Sequence, residues 1–136
     1  AQQKKLLILL LSFLFFIIKF GFAQQTFVPQ IATYYKSAEA NIKAGDIVSQ
    51  SENGLIKSSQ PYDKNIFGVV VEKPAIAFSK PSTSSVAVIS YGNALVKVSN
   101  INGKIKKGDL ITSSKIPGAG QKATGPGFIL GKALED

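Results

Sequence analysis

Beyond residue 23, the hydrophobic residues of the chain occur in short runs separated by polar turns. Ile47-Val48, residues 67–71 and residues 86–89 are examples, and Gly, Pro and Asn lie between such runs. No ten-residue segment in this part shows the 3.6-residue period of an amphipathic helix. Short apolar runs bounded by turn residues are typical of β-strands. The pattern therefore predicts an all-β fold, arranged as a small barrel or a sandwich.

Two stretches of the chain share one pattern at a spacing of 63 residues. The matching positions are Ile42, Lys43, Gly45, Asp46, Ile47 and Val48 against Ile105, Lys106, Gly108, Asp109, Leu110 and Ile111. After a slip of two residues, 56–59 matches 121–124, and the first spacing returns for 66–68 against 129–131. The match predicts a domain built from two related half-units, residues 42–71 and residues 105–134.

Several residues are predicted to act in turns and close contacts. Asn53-Gly54 is a hairpin signal of the type I′ kind, and Pro117-Gly118 suits the centre of a type II turn. Each Gly-Asp pair precedes an apolar run, where an Asp carboxylate commonly accepts local backbone N–H groups. The residues assigned to this structural role are Gly45, Asp46, Gly68, Gly108, Asp109, Pro117, Gly118 and Gly131.

The alternating and continuous apolar runs also predict a core. We expect it to comprise Ile47, Val48, Ile66, Val69, Val71, Val88, Val96, Val98, Leu110, Ile111, Ile129 and Leu134. Residues 94–98 are expected to form a strand, and Tyr34-Tyr35 to lie in an edge strand with half-buried rings. Replacing Gly68 or Gly131 by Val is expected to destabilise the protein more than replacing Asp46 or Asp109 by Asn.

The first 23 residues have the layout of a secretory leader. A short basic start is followed by 13 nearly uninterrupted apolar residues, 6–18, and then by small residues at Gly21 and Ala23. This apolar length suits a signal peptide cleaved after Ala23, because a spanning helix needs about 20 such residues. The alternative is an uncleaved signal anchor whose Lys19 reaches the membrane interface. We therefore expect a leader helix at 1–23, a linker or first strand at 24–41, and an exported β domain at 42–136.

Composition excludes several kinds of chemistry. The 136 residues include no Cys, His, Met or Trp, and all 16 basic residues are Lys, giving a net charge of +8. Without Cys and His there are no disulfides, no zinc site of the usual type and no Ser-His catalysis. Lys without Arg argues against specific nucleic-acid recognition, which favours the guanidinium fork. No cofactor or metal is predicted.

Two arrangements of residues leave an enzymatic alternative open. Asp46 and Asp109 occupy matching positions, so a two-fold arrangement would bring them together as an aspartic-peptidase-like pair. A self-cleaving module would instead use a Ser with a Lys base, and Ser79-Lys80 and residues 113–115 supply these types. The sequence places both Ser/Lys stretches in exposed loops, where a Lys stays protonated at neutral pH. Turn roles are favoured in both cases.

Lysines around the two Gly-Asp turns form a candidate contact surface for anions. Lys43, Lys104, Lys106 and Lys107 are its members. Such a surface would hold an anionic cell-wall polymer or lipid weakly and in a salt-dependent way. The favoured alternative is that these lysines keep a small β domain soluble and protect its strand edges.

One run of residues resembles a known kind of module. It comprises residues 94–98 and 102–114, Ile116-Pro117-Gly118, residues 122–124 and the C-terminal GKALED at 131–136. The run resembles a β-rich module found near the C-termini of exported and fibre-like bacterial surface proteins, many from candidate phyla, and is similar to modules of phage tail-fibre proteins. The resemblance implies a non-catalytic structural module. Its expected partners are further copies of itself or other surface proteins, and its expected contact with the membrane is limited to an uncleaved leader.

Overall fold

The computed structural model describes Lys4, Lys5 and residues 28–136. Nearly all of the predicted leader at 1–23, and the start of the linker, lie outside these described residues. Within them, no helix has both the length and the apolar character that crossing a membrane requires.

Residues 28–136 form nine β-strands and contain no helix. The strands are β1 (Ile31–Lys36), β2 (Ile47–Ser51), β3 (Gly54–Lys57), β4 (Ile66–Val69), β5 (Ile76–Phe78), β6 (Ser85–Tyr91), β7 (Leu110–Ser113), β8 (Gly120–Lys122) and β9 (Gly131–Lys132). They are arranged in three three-stranded sheets, which we call sheet 1 (β5-β1-β6), sheet 2 (β3-β2-β4) and sheet 3 (β8-β7-β9). The all-β prediction is confirmed. The described strands do not close into a barrel.

Sheet 1 is built around β1, whose β-branched and aromatic residues favour a strand. β1 pairs in parallel with β5 and antiparallel with β6. The prediction that Tyr34-Tyr35 lies in an edge strand is therefore wrong, because β1 is central in its sheet. Tyr34 is half-buried, whereas Tyr35 is 38% exposed and contacts the ring of Phe67 edge to face, with centroids 4.8 Å apart.

Sheets 2 and 3 share one topology. In each, the strand after the Gly-Asp turn is central, and both neighbours are antiparallel to it. The registers also correspond, since Val48 pairs with Gly68 in sheet 2 and Ile111 pairs with Gly131 in sheet 3. The two stretches that match in sequence thus form sheets of the same design, while a common origin of the stretches stays a prediction.

Six of the twelve predicted core residues are buried, namely Ile47, Val48, Val69, Val71, Val88 and Ile111. Ile66, Val96 and Ile129 are half-buried. Val98, Leu110 and Leu134 are 52%, 46% and 54% exposed, so their assignment to the core is wrong. The buried clusters contain the predicted Val48, Val71 and Val88. They also contain four residues that the predicted core did not include, namely Ala32, Leu55, Val70 and Ala87.

Residues 94–98 do not form a strand. Their backbone instead bridges neighbouring elements, because Lys97 donates its N–H to Gly45 O at 2.9 Å and accepts from Gly120 N–H at 2.8 Å. Only Val98 makes a β-bridge, parallel to Gly120. The segment is extended but serves as a connector, which explains the failure of the strand prediction.

The hairpin and type II predictions have different outcomes. Between β2 and β3 the loop residues are Glu52-Asn53, and neither has a positive φ, so the type I′ prediction is wrong. Gly54 follows with a φ of 135°. Pro117-Gly118 does form a type II turn, since Gly118 has a φ of 76° and Ala119 N–H donates to Ile116 O at 3.1 Å.

Candidate functional site: the junction between sheet 2 and sheet 3

The two Gly-Asp turns have the same internal geometry. Asp46 Oδ2 accepts the Lys43 N–H at 2.7 Å, and Asp109 Oδ2 accepts the Lys106 N–H at 2.8 Å. The glycine between them, Gly45 or Gly108, has a φ of 91° or 92°, which a side chain would disfavour. Each Asp carboxylate therefore caps its own turn by accepting a backbone N–H group, as predicted from the sequence.

The surroundings of the two carboxylates differ. Asp46 is 1% exposed and its Oδ1 lies 2.6 Å from Lys97 Nζ, which comes from the segment leading into sheet 3. Asp109 is 24% exposed and pairs at 3.4 Å with Lys122 of its own sheet. The hydrogen bond from Lys106 N–H, followed by the charge of Lys122, lowers the pKa of Asp109 below its usual value.

The Pro117-Gly118 turn of sheet 3 inserts its backbone into the edge of sheet 2. Gly118 O accepts the Ile47 N–H at 2.8 Å, and Gly118 N–H donates to Ser58 O at 2.8 Å. A Cβ at Gly118 would lie 2.7 Å from Asp46 Oδ1, so only glycine fits. This approach makes the two sheets one packed body around Asp46.

A buried network of hydroxyl groups joins the sheets beside that turn. Ser49 Oγ lies 2.7 Å from Asp63 Oδ2 and 2.9 Å from Ser58 Oγ. Asp63 in turn donates its N–H to Ser113 Oγ at 2.9 Å, and Ser113 donates to Gln60 O at 2.6 Å. Sequence reasoning missed this network. Polar residues in short apolar runs, such as Ser49 after Ile47-Val48, were the available signal.

Tyr62 makes a second link from the same loop. Its hydroxyl oxygen accepts the N–H groups of Thr124 and Gly125 at 2.9 and 3.0 Å. These N–H donors favour the phenolate and so lower the pKa of Tyr62 below its usual value, and Thr124 makes the largest contribution. The residue has a φ of 53°, and its ring leaves no room for a Cβ at Gly127. Loop 59–65 is thus held against sheet 3 by both backbone and side-chain contacts.

The two aspartates of the peptidase alternative are not hydrogen-bonded to one another in the described part of the chain. Each carboxylate is engaged with its own turn and with a lysine. Ser113 and Ser114 are fully buried, so the prediction that they lie in an exposed loop is wrong. Ser114 Oγ donates to Ala119 O at 2.7 Å, which gives it a structural role.

The remaining Ser/Lys stretch is on the surface. Ser79 and Lys80 are exposed, and Ser79 Oγ donates to Tyr34 O at 3.0 Å. Lys115, beside the buried serines, is exposed as well. The contacts of Ser79, Ser113 and Ser114 therefore favour a structural role for both stretches.

The predicted anion-contact lysines all lie on the surface. Lys43, Lys104, Lys106 and Lys107 are exposed, and none makes an ion pair with an acidic side chain among residues 28–136. Lys104, Lys106 and Lys107 surround the Gly-Asp turn of sheet 3, and Lys43 lies in the corresponding turn of sheet 2.

A wide groove with a mixed polar and apolar lining is open to solvent. Its volume is about 1420 Å³, and segments from all three sheets line it. Its lining includes large exposed hydrophobic residues, namely Tyr91, Leu95, Val98, Ile116 and Leu134. Leu95 is 90% exposed. Acidic residues in the described part do not assemble into a group able to hold a metal ion.

Comparison of the chain with protein-family models, with curated proteins and with solved structures gives no match. The fold is an all-β module in which two topologically equivalent sheets share a buried polar junction, and a wide groove is lined by segments of all three sheets.

Proposed function

We propose that the protein is a non-catalytic structural module of an exported, fibre-like or cell-surface protein, and that it presents or oligomerises parts of a surface assembly. The observation that carries the proposal is the set of large hydrophobic side chains exposed in the groove, namely Tyr91, Leu95, Val98, Ile116 and Leu134. Monomeric soluble proteins rarely leave a large contiguous apolar surface in contact with water, and such surfaces mark protein interaction sites.

The polar groups of the junction support a structural role over a catalytic one. Among the described residues, every buried side-chain nitrogen or oxygen atom has a hydrogen-bond partner. A catalytic nucleophile would need a base within hydrogen-bond reach, whereas Ser113 and Ser114 donate to backbone carbonyl groups. The junction is therefore suited to holding two sheets together.

Replacing Leu95 by Asp tests the proposal. Because Leu95 is 90% exposed, the change should leave the melting temperature nearly unaltered while it places a charge in the groove. We expect self-association of the full chain to weaken at least about tenfold, which corresponds to about 1.4 kcal/mol. Sedimentation velocity over a concentration series measures the effect.

Phe78→Asp is the matched control. Phe78 is 59% exposed, lies in β5 and does not line the groove. All compared chains carry the same leader, so leader-driven aggregation affects each of them equally. Equal weakening by the two substitutions, or a wild-type chain that stays monomeric at high concentration, would show that the groove does not mediate assembly.

Lys-mediated adhesion is a second candidate, favoured by the four exposed lysines that lack acidic partners in the described part. It predicts binding to an anionic polymer that fades as salt rises, because exposed charges are screened within about 10 Å at 0.1 M salt. Groove-driven association should instead persist. A salt series with teichoic-acid-type polymer in one arm and protein alone in the other separates the two candidates.

A further inference from the structure

The contact between sheets 2 and 3 is head-to-tail, because the two sheets use different surfaces. Sheet 2 contributes the end onto which the neighbouring unit docks, which we call the acceptor end. It comprises three hydrogen-bond acceptors, Gly45 O, the Asp46 carboxylate and Ser58 O, and one donor, the Ile47 N–H. Sheet 3 covers this end with Lys97 and the Gly118 turn. Asp46, Ile47 and Ser58 are consequently no more than 1% exposed.

Sheet 3 carries the same acceptor end without a cover. Gly108 N–H donates to Ala133 O as Gly45 N–H donates to Val70 O, both at 2.8 Å, so the two turns sit identically on their sheets. The corresponding groups are therefore Gly108 O, Asp109 Oδ1 and the Leu110 N–H, and neither Gly108 O nor Asp109 Oδ1 has a hydrogen-bond partner among the described residues. Leu110 is 46% exposed, whereas Ile47 is fully buried.

The segment before sheet 2 carries the matching cover. Val98 bridges Gly120 in parallel, and Ser37 bridges Leu55 in the same way. Ser99 N–H donates to Gly120 O at 2.8 Å, as Ala38 N–H donates to Leu55 O at 2.9 Å. The equivalence places Lys36 where Lys97 stands in the other unit. Lys36 is exposed and makes no ion pair within residues 28–136.

We propose that a second copy of this chain docks the end of its β1 strand, which carries Lys36, onto the uncovered acceptor end of sheet 3. The Lys36 ammonium group then lies against Asp109. The inference rests on the proposed structural function and specifies its partner. A head-to-tail contact of this kind leaves one free end on each copy, so it extends copies into an array, which is open unless the rotation between copies closes a ring. The β2–β3 hairpin has a shorter loop than the β7–β8 hairpin, so its tip adds less to the contact between copies.

Lys122 limits this docking. It already lies 3.4 Å from Asp109 Oδ2 and competes with an incoming lysine for the same carboxylate. Lys122→Ala is therefore expected to strengthen association, whereas Lys80→Asp, at an exposed position outside both ends, should leave it unchanged.

A charge-swap experiment on the full chain tests the proposal. Lys36→Asp and Asp109→Lys are each expected to weaken association at least about tenfold. A mixture of the two variants should restore arrays in which the variants alternate, because every contact between unlike chains then joins opposite charges, in the native or the reversed order. The double variant should form arrays again with the pair reversed. Sedimentation velocity and light scattering distinguish these species.

The turn needs a variant that preserves its fold, since Asp109 also accepts the Lys106 N–H. Asp109→Asn retains this hydrogen bond and removes the charge, so it should weaken association while thermal melting stays close to wild type. Association that survives all the charge variants but is lost in Leu95→Asp would overturn the head-to-tail contact and leave the proposed function standing. Absence of any association would overturn both.

Discussion

Gly68 lies too close to Val88 to accept a side chain. An added Cβ would be 2.7 Å from Val88 Cγ1, and Val88 is 2% exposed. We expect Gly68→Val to lower the free energy of unfolding by about 1–3 kcal/mol, the usual cost of overpacking a core. A Cβ added at Gly131 would have no atom within 4 Å, so Gly131→Val should change the free energy of unfolding by less than about 0.5 kcal/mol.

Urea unfolding measures both variants, and Val88→Ala supplies the control. In that background the clash is relieved, so Gly68→Val should cost clearly less. Equal costs at Gly68 in both backgrounds would contradict the packing explanation. The sequence predicted that Val at Gly68 or Gly131 would destabilise more than Asn at Asp46 or Asp109, and the open space at Gly131 does not support this for Gly131. The sequence contained no information on Val88, which approaches only Gly68 of the two glycines.

Sequence reasoning at the residue scale found the turn geometry but not the burial. The Asp of each Gly-Asp turn was assigned correctly to a local cap. The difference between Asp46 and Asp109 depends on Lys97, 51 residues away from Asp46, and a local pattern does not reveal such a contact. For the same reason Leu110 was placed in the core with Ile47, although only Ile47 is covered by a neighbouring segment.

Among the elements, the Pro117-Gly118 turn is the one on which the junction depends. Gly118→Ala should be more destabilising than Gly108→Ala. Both residues have a positive φ, which costs an alanine about 1–2 kcal/mol. Only the Cβ at Gly118 would also meet a buried group, Asp46 Oδ1 at 2.7 Å, whereas Gly108 has no atom within 4 Å.

The extra loss at Gly118 should be at least about 1 kcal/mol, within the range for inserting an atom into a packed site. Thermal melting of both variants checks the comparison. Equal losses would mean that backbone strain alone accounts for the need for glycine at this turn.

At the scale of elements, the strands were largely predictable and their neighbours were not. Apolar runs predicted β2, β4, β6 and β7, because burial of alternate side chains leaves a local pattern. The connector at 94–98 has the same pattern but bonds to turns, so it was mistaken for a strand. Sheet 1, which is centred on β1, includes a parallel pairing with the distant strand β5, and no local sequence pattern predicts this pairing.

For the whole molecule, we expect the hydroxyl network to make sheets 2 and 3 unfold together. Ser113→Ala would leave the Asp63 N–H and Gln60 O without their partner. Each hydrogen bond contributes about 0.5–1.5 kcal/mol net, so the loss of both is expected to cost about 1–3 kcal/mol. Ser79→Ala, which alters an exposed hydroxyl, is the control.

Hydrogen exchange monitored in both sheets measures this coupling. In the wild type, core amides of sheets 2 and 3 should exchange through one global opening. Ser113→Ala should accelerate both sets alike, because either sheet alone lacks a cover for its buried edge. Acceleration confined to sheet 3 would show that the sheets are independent units.

The contacts that sheet 2 receives from Lys97 and Gly118 also have a consequence for the order in which the chain folds. During synthesis, residues 47–69 emerge well before the groups that neutralise Asp46 and satisfy the Ile47 amide. Contacts between remote segments form late, because the intervening loop must first be ordered. We therefore expect the early half to remain incompletely folded until the later half has been synthesised, and this would keep the chain competent for the export that we propose.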